Sequence, residues 1–442
     1  MAVWHSARRA LQYVACAVLG SLMLIFLTQD KWSRYSSPTR WVNPFATDKS
    51  ILTIGGHQHI KDNATRISIV ESRGSHDDVW AALMHAFGDS EDSELYLYLK
   101  AQRYGSGEIV KGFNLASPII KSSSVKDLPK AVKQGFAPDI LVLTACEQDI
   151  VDRNVKNTLE TLLRDGTTWL VCVIHHADRW QSDDVGPKII QDWVAAKRID
   201  FLGLSQHTVD YFVKQSVPKW KVTGPIIANV LPPIFPVAVP KHDHDEIAGL
   251  DHFMQVNYQS ARQEYRSVFS HLHNIIDKAE GDMAHGDDAR TQGVKVHVIG
   301  HGAVPHVPKE LQRHVVFDHD LAYPEFYAII SESFALLPAF ASDQYYDRIA
   351  SSAIPAALIA GTPIVANERL LKAYTYMPRE AVWLAQEGES ELEVIERVME
   401  NKTEYRMKRA LVEKTAIDLQ LMNRFHAKQW VDDILTKMKQ PS

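Results

Sequence analysis

From residue 66 onward, short β-branched and aromatic runs alternate with longer stretches of helical period. In the first half the runs fall at 66–71 (RISIVE), 95–99, 140–144, 169–174 and 201–204, with helical patterns at 77–87, 155–164 and 208–214. Strand, loop and helix in alternation predict an open parallel sheet with helices on both faces. Residues 224–240 (GPIIANVLPPIFPVAVP) then carry five prolines and no charge. That composition excludes one helix or a central strand and predicts an extended crossover between two domains. The alternation restarts with strands at 253–256, 294–299, 315–317, 334–337, 364–366 and 381–384 and helices at 260–279, 323–333 and 390–401. Residues 404–438 are helical in pattern nearly throughout, with Leu411, Leu419, Met422, Phe425, Trp430 and Leu435 forming a broken apolar stripe. The predicted fold class is α/β, with two Rossmann-like domains at 63–228 and 249–403, a proline-rich linker at 229–248 and terminal helices at 404–442.

A chain of 442 residues with 45% hydrophobic residues buries two ordinary domain cores. A net charge of −6 gives no basis for a nucleic-acid partner. Before the first domain, residues 10–28 are apolar apart from Gln12 and Ser21. This is near the short end of the roughly 17–25 residues that span a bilayer. A cleaved signal peptide is the alternative, but its apolar core is usually about 7–15 residues, and a small-residue cleavage pattern is missing here. The segment reads as an uncleaved signal anchor between a cytoplasmic tail (1–9) and a stem (29–62). Sequons at Asn63 and Asn401 favour a lumenal body, as in a single-pass type II protein of the Golgi or ER. The three cysteines, Cys16, Cys146 and Cys172, show no CxxC or zinc spacing. Buried free thiols are the default reading, with a Cys146–Cys172 disulfide left open.

Ligands of open α/β sheets gather at the carboxyl ends of the strands. The loops to inspect are therefore 73–76, 146–149, 175–180 and 205–207. Directly after the apolar run TTWLVCVI comes His175-His-Ala-Asp-Arg-Trp180. His175, His176 or Asp178 could orient or deprotonate an acceptor hydroxyl, because histidine titrates near neutrality. A polar loop whose imidazole donates to a backbone carbonyl is the equal alternative. A metal held by these three residues is disfavoured, since adjacent histidines in an extended loop point apart. Residues 242–246 (HDHDE) look metal-like but read as a solvated loop. In the second half, Gly300-His-Gly302 ends one strand and permits close approach of a phosphate or sugar. Asp318-His-Asp320 ends the next.

Residues 344–367 (QYYDRIASSAIPAALIAGTPIVAN) organise the second half. The hydroxyl of Ser351 or Ser352 suits a helix cap, Pro355 falls in the first turn, and the apolar segment to Ala360 predicts a buried helix. Gly361 suits the left-handed position after it and Pro363 ends it. The N–H groups at Ser351, Ser352 and Ala353 are expected to face outward toward a phosphate. This stretch resembles the sugar-nucleotide segment of GT-B glycosyltransferases, particularly the GT4-like retaining families, whose short helix ends in Gly-Thr-Pro before a strand. Two glutamates eight positions apart usually flank that helix; here the places hold Arg348 and Ala356.

The resemblance implies sugar transfer from a nucleotide-diphosphate sugar to an acceptor hydroxyl, with no bound metal or other cofactor. It implies a basic residue after the first strand of the second domain, matched in position by Arg262 or Arg266. Arg348 departs from the family pattern, and its own charge suits the donor phosphates better than an acceptor. The loop of Asp318 and Asp320 would lie beside the base, and the terminal helices would cross back to the first domain through Trp430. A non-catalytic lumenal binding or scaffold protein on the same fold is the main rival, supported by Arg348 and Ala356. A metal-dependent GT-A enzyme using Asp318 and Asp320 ranks after it.

Overall fold

The computed structural model describes residues 63–181, 185–220, 224, 226–239, 251–257, 265–283, 295–399 and 401–440, all within one compact unit. The apolar run 10–28, the stem, the 242–246 loop and Arg262 lie outside them. Among the described residues no helix is long and apolar enough to cross a membrane.

The first sheet comprises β1 (Thr65–Glu71), β2 (Ser93–Leu99), β3 (Ile119–Ser123), β4 (Ile140–Leu143), β5 (Trp169–Ile174), β6 (Ile199–Gly203) and β7 (Ala228–Val230). Its order is β3-β2-β1-β4-β5-β6-β7, and every pairing is parallel. The second comprises β8 (Asp251–Asn257), β9 (Lys295–His301), β10 (Val315–His319), β11 (Ala335–Leu336), β12 (Ile364–Ala366) and β13 (Val382–Leu384). It too is parallel throughout, in the order β10-β9-β8-β11-β12-β13. Both sheets thus reverse direction beside their first strand, the topology that opens a crevice at the carboxyl ends.

Side chains along β5 explain why the strands are apolar without interruption. Trp169, Val171 and Val173 join one core, while Leu170, Cys172 and Ile174 join the core on the opposite face. A strand covered on both sides has no polar face to show. Helix α1 (Asp77–Phe87) is buried at every position except Asp78. It is sandwiched between the first sheet and α3 (Lys402–Met438); the short helix α2 (Ala353–Ile359) lies in the second half.

The long helix α3 ties the two sheets together with side chains from both of its ends. Near its start, Lys408 Nζ donates to Val382 O at 2.8 Å, and Arg409 Nη1 donates to Ser331 O at 2.8 Å, satisfying a carbonyl at the end of the Tyr323–Glu332 helix. Further on, Trp430 packs against Phe87 and its Nε1 donates to Asp200 Oδ2 at 2.5 Å, while Arg424 pairs with Asp89.

Two strands, and helices such as Leu128–Lys133 and Val185–Ala195, differ from the sequence reading. Strand β3 appears where none was expected, and β7 lies inside the proline-rich segment. Its place at the sheet edge explains how it tolerates that setting. Cys146 and Cys172 are also not free thiols: they form a disulfide, with Cα atoms 5.2 Å apart. The register puts Leu143 of β4 opposite Cys172 of β5, and the turn after β4 carries Cys146 back over its neighbour.

Candidate functional site

At the carboxyl end of the first sheet, buried and half-buried carboxylates shape the loops by accepting backbone N–H groups. Glu71, the last residue of β1, accepts from Arg73 (2.9 Å), Gly74 (2.7 Å to Oε1) and Ser75 (3.4 Å). Gly74 has φ +71°, a left-handed turn that favours glycine. Asp149, after β4, accepts from Ser72 N (2.9 Å), Ser72 Oγ (2.6 Å) and Ala145 N (2.8 Å). Glu147 accepts from His175 N (3.2 Å) and His176 N (2.8 Å). Burial raises the pKa of all three, Glu147 and Asp149 to about 7, against the lowering effect of these hydrogen bonds.

The imidazoles above this floor are not equivalent. His175 is 8% exposed, and its Nε2 donates to Thr144 O at 2.6 Å. It is the carbonyl-bound loop histidine of the alternative reading, and burial holds its pKa well below the ordinary value. His176 is half-buried. His76, also half-buried, packs against His175 with ring centroids 4.3 Å apart and planes tilted by 51°, and desolvation lowers its pKa to about 4. A neutral ring at physiological pH keeps a lone pair available as a proton acceptor.

A seam joins the two sheets. Ala177 N donates to Arg348 O at 3.1 Å, and His176 bridges Ile349 in antiparallel fashion. Arg348 Nε pairs with Asp178 Oδ2 at 3.3 Å, so this guanidinium is committed to the first sheet's loop. His207, in the first turn of the helix Gln206–Tyr211 that follows β6, places Nδ1 2.9 Å from Ala373 O and Nε2 3.2 Å from Ile349 O. A second contact lies at the far side, where Tyr323 N donates to Tyr104 O (2.6 Å) and Tyr104 Oη donates to Asp320 Oδ1 (3.3 Å).

On the second sheet, Gly300 is half-buried and Gly302 is exposed with φ +120°. Asp318 Oδ2 lies 2.8 Å from His297 Nδ1. Asp320 is exposed with φ +47°. Helix α2 begins where the sequence placed it, yet Ser351 N donates to Tyr374 Oη (3.0 Å) and Ala353 N to Ser351 Oγ (3.3 Å). Those two N–H groups therefore already have acceptors in the protein, and Ala353 is buried while Ser352 is exposed. Gly361 has φ +73°, and an added Cβ would sit 2.9 Å from Glu413 Cγ of α3, so two requirements select glycine there. Ala356 is 4% exposed and offers no carboxylate. Arg266 is exposed on the helix Tyr265–Met283. Among the described residues no group of three or more His, Cys, Asp and Glu is poised to hold a metal. Asn63 and Asn401 are both exposed.

The structure brings His175, His176, Asp178 and Arg348 together in one seam that leads into Ser351–Ala353, while Asp320 joins the other contact through Tyr104. The sequence reading named the loops holding His76, Glu147, Asp149 and His207 without assigning those residues a role, and it gave none to Glu71. The available signal was position: Glu71 ends a strand, and the others sit in the first turns of chain after one.

No protein-family model matches the chain, and no curated protein matches it. Solved structures do. An alpha-glucosyltransferase in complex with UDP and a 13-mer DNA is 15% identical with a TM-score of 0.54, over 85% of this chain and 100% of that one. Anabaena HepE in complex with UDP-glucose is 10% identical with a TM-score of 0.53, over 83% of this chain and 99% of that one. At such identities the likeness is one of fold. With its two parallel sheets and crossing terminal helix, the chain has the GT-B fold.

Proposed function

We propose that the chain is a glycosyltransferase that moves a sugar from a nucleotide-diphosphate donor to an acceptor hydroxyl. The observation that carries this reading is the pair of Rossmann sheets meeting at their carboxyl ends, a fold shared over most of the chain with proteins solved holding UDP or UDP-glucose. The donor is assigned to the second sheet, with Gly300 and Gly302 giving backbone access and Asp318 and Asp320 beside the base. Arg262 and Arg266 would neutralise the diphosphate, since a guanidinium pairs two phosphate oxygens well. The acceptor is assigned to the loops after β1 and β5, where His76 and His176 are the half-buried imidazoles. A departing diphosphate is then stabilised by cations and oriented N–H groups, with no metal required. In the sequence-based part of this reading, 10–28 anchors the body in a Golgi or ER membrane, and Asn63 and Asn401 carry glycans.

A non-catalytic descendant is the second reading. It is favoured by Ala356 and by the ion pair that occupies Arg348, since neither place supplies a carboxylate for the donor sugar. The two separate on turnover: the full-length chain incubated with a panel of UDP- and GDP-sugars should release the nucleotide diphosphate, and Arg262→Ala should slow the release at least tenfold. Nucleotide binding with no release from any donor would establish the scaffold reading instead.

A further inference from the structure

The Cys146–Cys172 bond crosses the same gap as the hydrogen bonds of Glu147. Cys172 lies in β5, three residues before His175, and Cys146 opens the short helix Cys146–Asp149 that carries Glu147 and Asp149. Glu147 accepts from the N–H groups of His175 and His176, and Asp149 holds Ser72, which leads into the His76 turn. Both cysteines are 0% exposed and packed within an apolar core. Reduction would replace one covalent bond with two non-bonded thiols in a filled site, and a close-packed interior accommodates that only by shifting the turn.

We infer that the Cys146–Cys172 disulfide is a positioning element for the acceptor half of the cleft, and that this half is correctly assembled only in the oxidised chain. The bond forms when one thiolate attacks a small-molecule or protein disulfide oxidant and the second thiolate displaces the mixed disulfide. One S–S bond is made in the protein, one is broken in the oxidant, and two thiols leave carrying the protons. Such a bond persists in a compartment that maintains disulfide oxidants. The activity readout rests on the glycosyl-transfer reading; the two structural readouts do not.

The test uses the full-length chain purified in detergent without reductant. Denatured samples are labelled with a maleimide mass tag before and after reduction, and two additional tags are expected after it; no increase overturns the proposal. Hydrogen exchange is then followed on the native chain, on the natively reduced chain, and on the Cys146→Ser/Cys172→Ser variant. The amides of His175 and His176 should exchange at least tenfold faster without the bond, while those of β12 stay unchanged. Equal acceleration over the whole chain would make the bond a general stabiliser and overturn the positioning role, as would no acceleration. If the double variant fails to fold, the natively reduced chain gives the same reading, and reoxidation with glutathione disulfide should restore the slow exchange. Transfer should fall at least tenfold on reduction, with UDP affinity changing less than twofold. A chain that binds no nucleotide in either redox state would refute the transfer reading and leave the tag and exchange results to decide this one.

Discussion

The two carboxyl-end surfaces that face the cleft are built differently, the first resting on three carboxylates that accept backbone N–H groups and the second on one. On the first sheet, Glu71 and Asp149 are buried and Glu147 is half-buried, and all three spend their oxygens mainly on backbone N–H groups, so the loops are fixed by their own side chains. On the second, one acid does the same, Glu391 accepting from Ala339 N at 2.9 Å, while the acids at the rim pair with other side chains: Asp318 with His297, Asp320 with Tyr104, and Asp343 with Arg369. Gly302 and Asp320 there are exposed, with left-handed backbone. The contrast teaches that the first half is set during folding, whereas the second keeps open loops that a ligand can complete.

The sharpest way to break this contrast is to remove a floor carboxylate. Glu71→Ala leaves three backbone donors near the buried turn without their acceptor, and is expected to destabilise the chain by about 3 kcal/mol or more in urea unfolding. A loss below about 1 kcal/mol would mean that the turn holds itself.

An intermediate effect is expected from pH. Burial raises Glu71, lifts Asp77, Glu147 and Asp149 to about 7, and lifts Asp78 to about 6. The folded chain keeps protons on these groups that the unfolded chain releases near about pH 4, so the stabilisation they contribute is lost as pH rises through 7. The buried imidazoles act in the other direction. Desolvation lowers His76 and His85 to about 4 and also depresses His175 and His207. Their contribution is present above about pH 6.5 and lost below it. From about pH 6.5 to 8 these carboxyls dominate, together with Glu391 of the second half, which desolvation also lifts to about 7, so Tm should fall across that window and fall less in Glu147→Gln. A Tm that rises with pH there would contradict the assignment of these groups as buried acids.

The smallest effects belong to the rim and the seam. Asp318→Asn keeps an oxygen facing His297 and should change stability by less than about 1 kcal/mol. Arg348→Met removes a half-exposed ion pair with Asp178, and such pairs contribute about 0–1 kcal/mol. If either substitution matched Glu71→Ala in urea, the second half would be as rigid as the first.

Much of the fold was legible because its determinants are local. Helix α1 and strand β5 occupy the residues that their periodicity and apolar run marked out, and Gly-Thr-Pro ends α2 before β12 as its backbone requirements dictate. Strands β3 and β7 were not legible. Each is a short edge strand, Ile119–Ser123 ending in serines and Ala228–Val230 set among prolines, so neither carries an apolar pattern long enough to register. In the site, the histidines and aspartates after β5 stood out by residue type. The roles of Glu71, Glu147 and Asp149 did not, because their partners are backbone N–H groups and any residue supplies those. The disulfide stood in the sequence only as an open alternative to free thiols: its cysteines are 26 residues apart and meet through the β4–β5 register. The outward N–H groups expected at the start of α2 met a tyrosine hydroxyl, Tyr374 Oη, that nothing near them in sequence announces.

The most direct test of the central claim is a titration of the full-length chain with UDP, with and without EDTA, read by hydrogen exchange. The account predicts saturable binding that survives EDTA and slows exchange in the loops after β9 and β10 and at the start of α2, leaving the loops after β1 and β4 unchanged. Protection confined to the first sheet's loops, or no binding of UDP, GDP or any other nucleoside diphosphate, would contradict it.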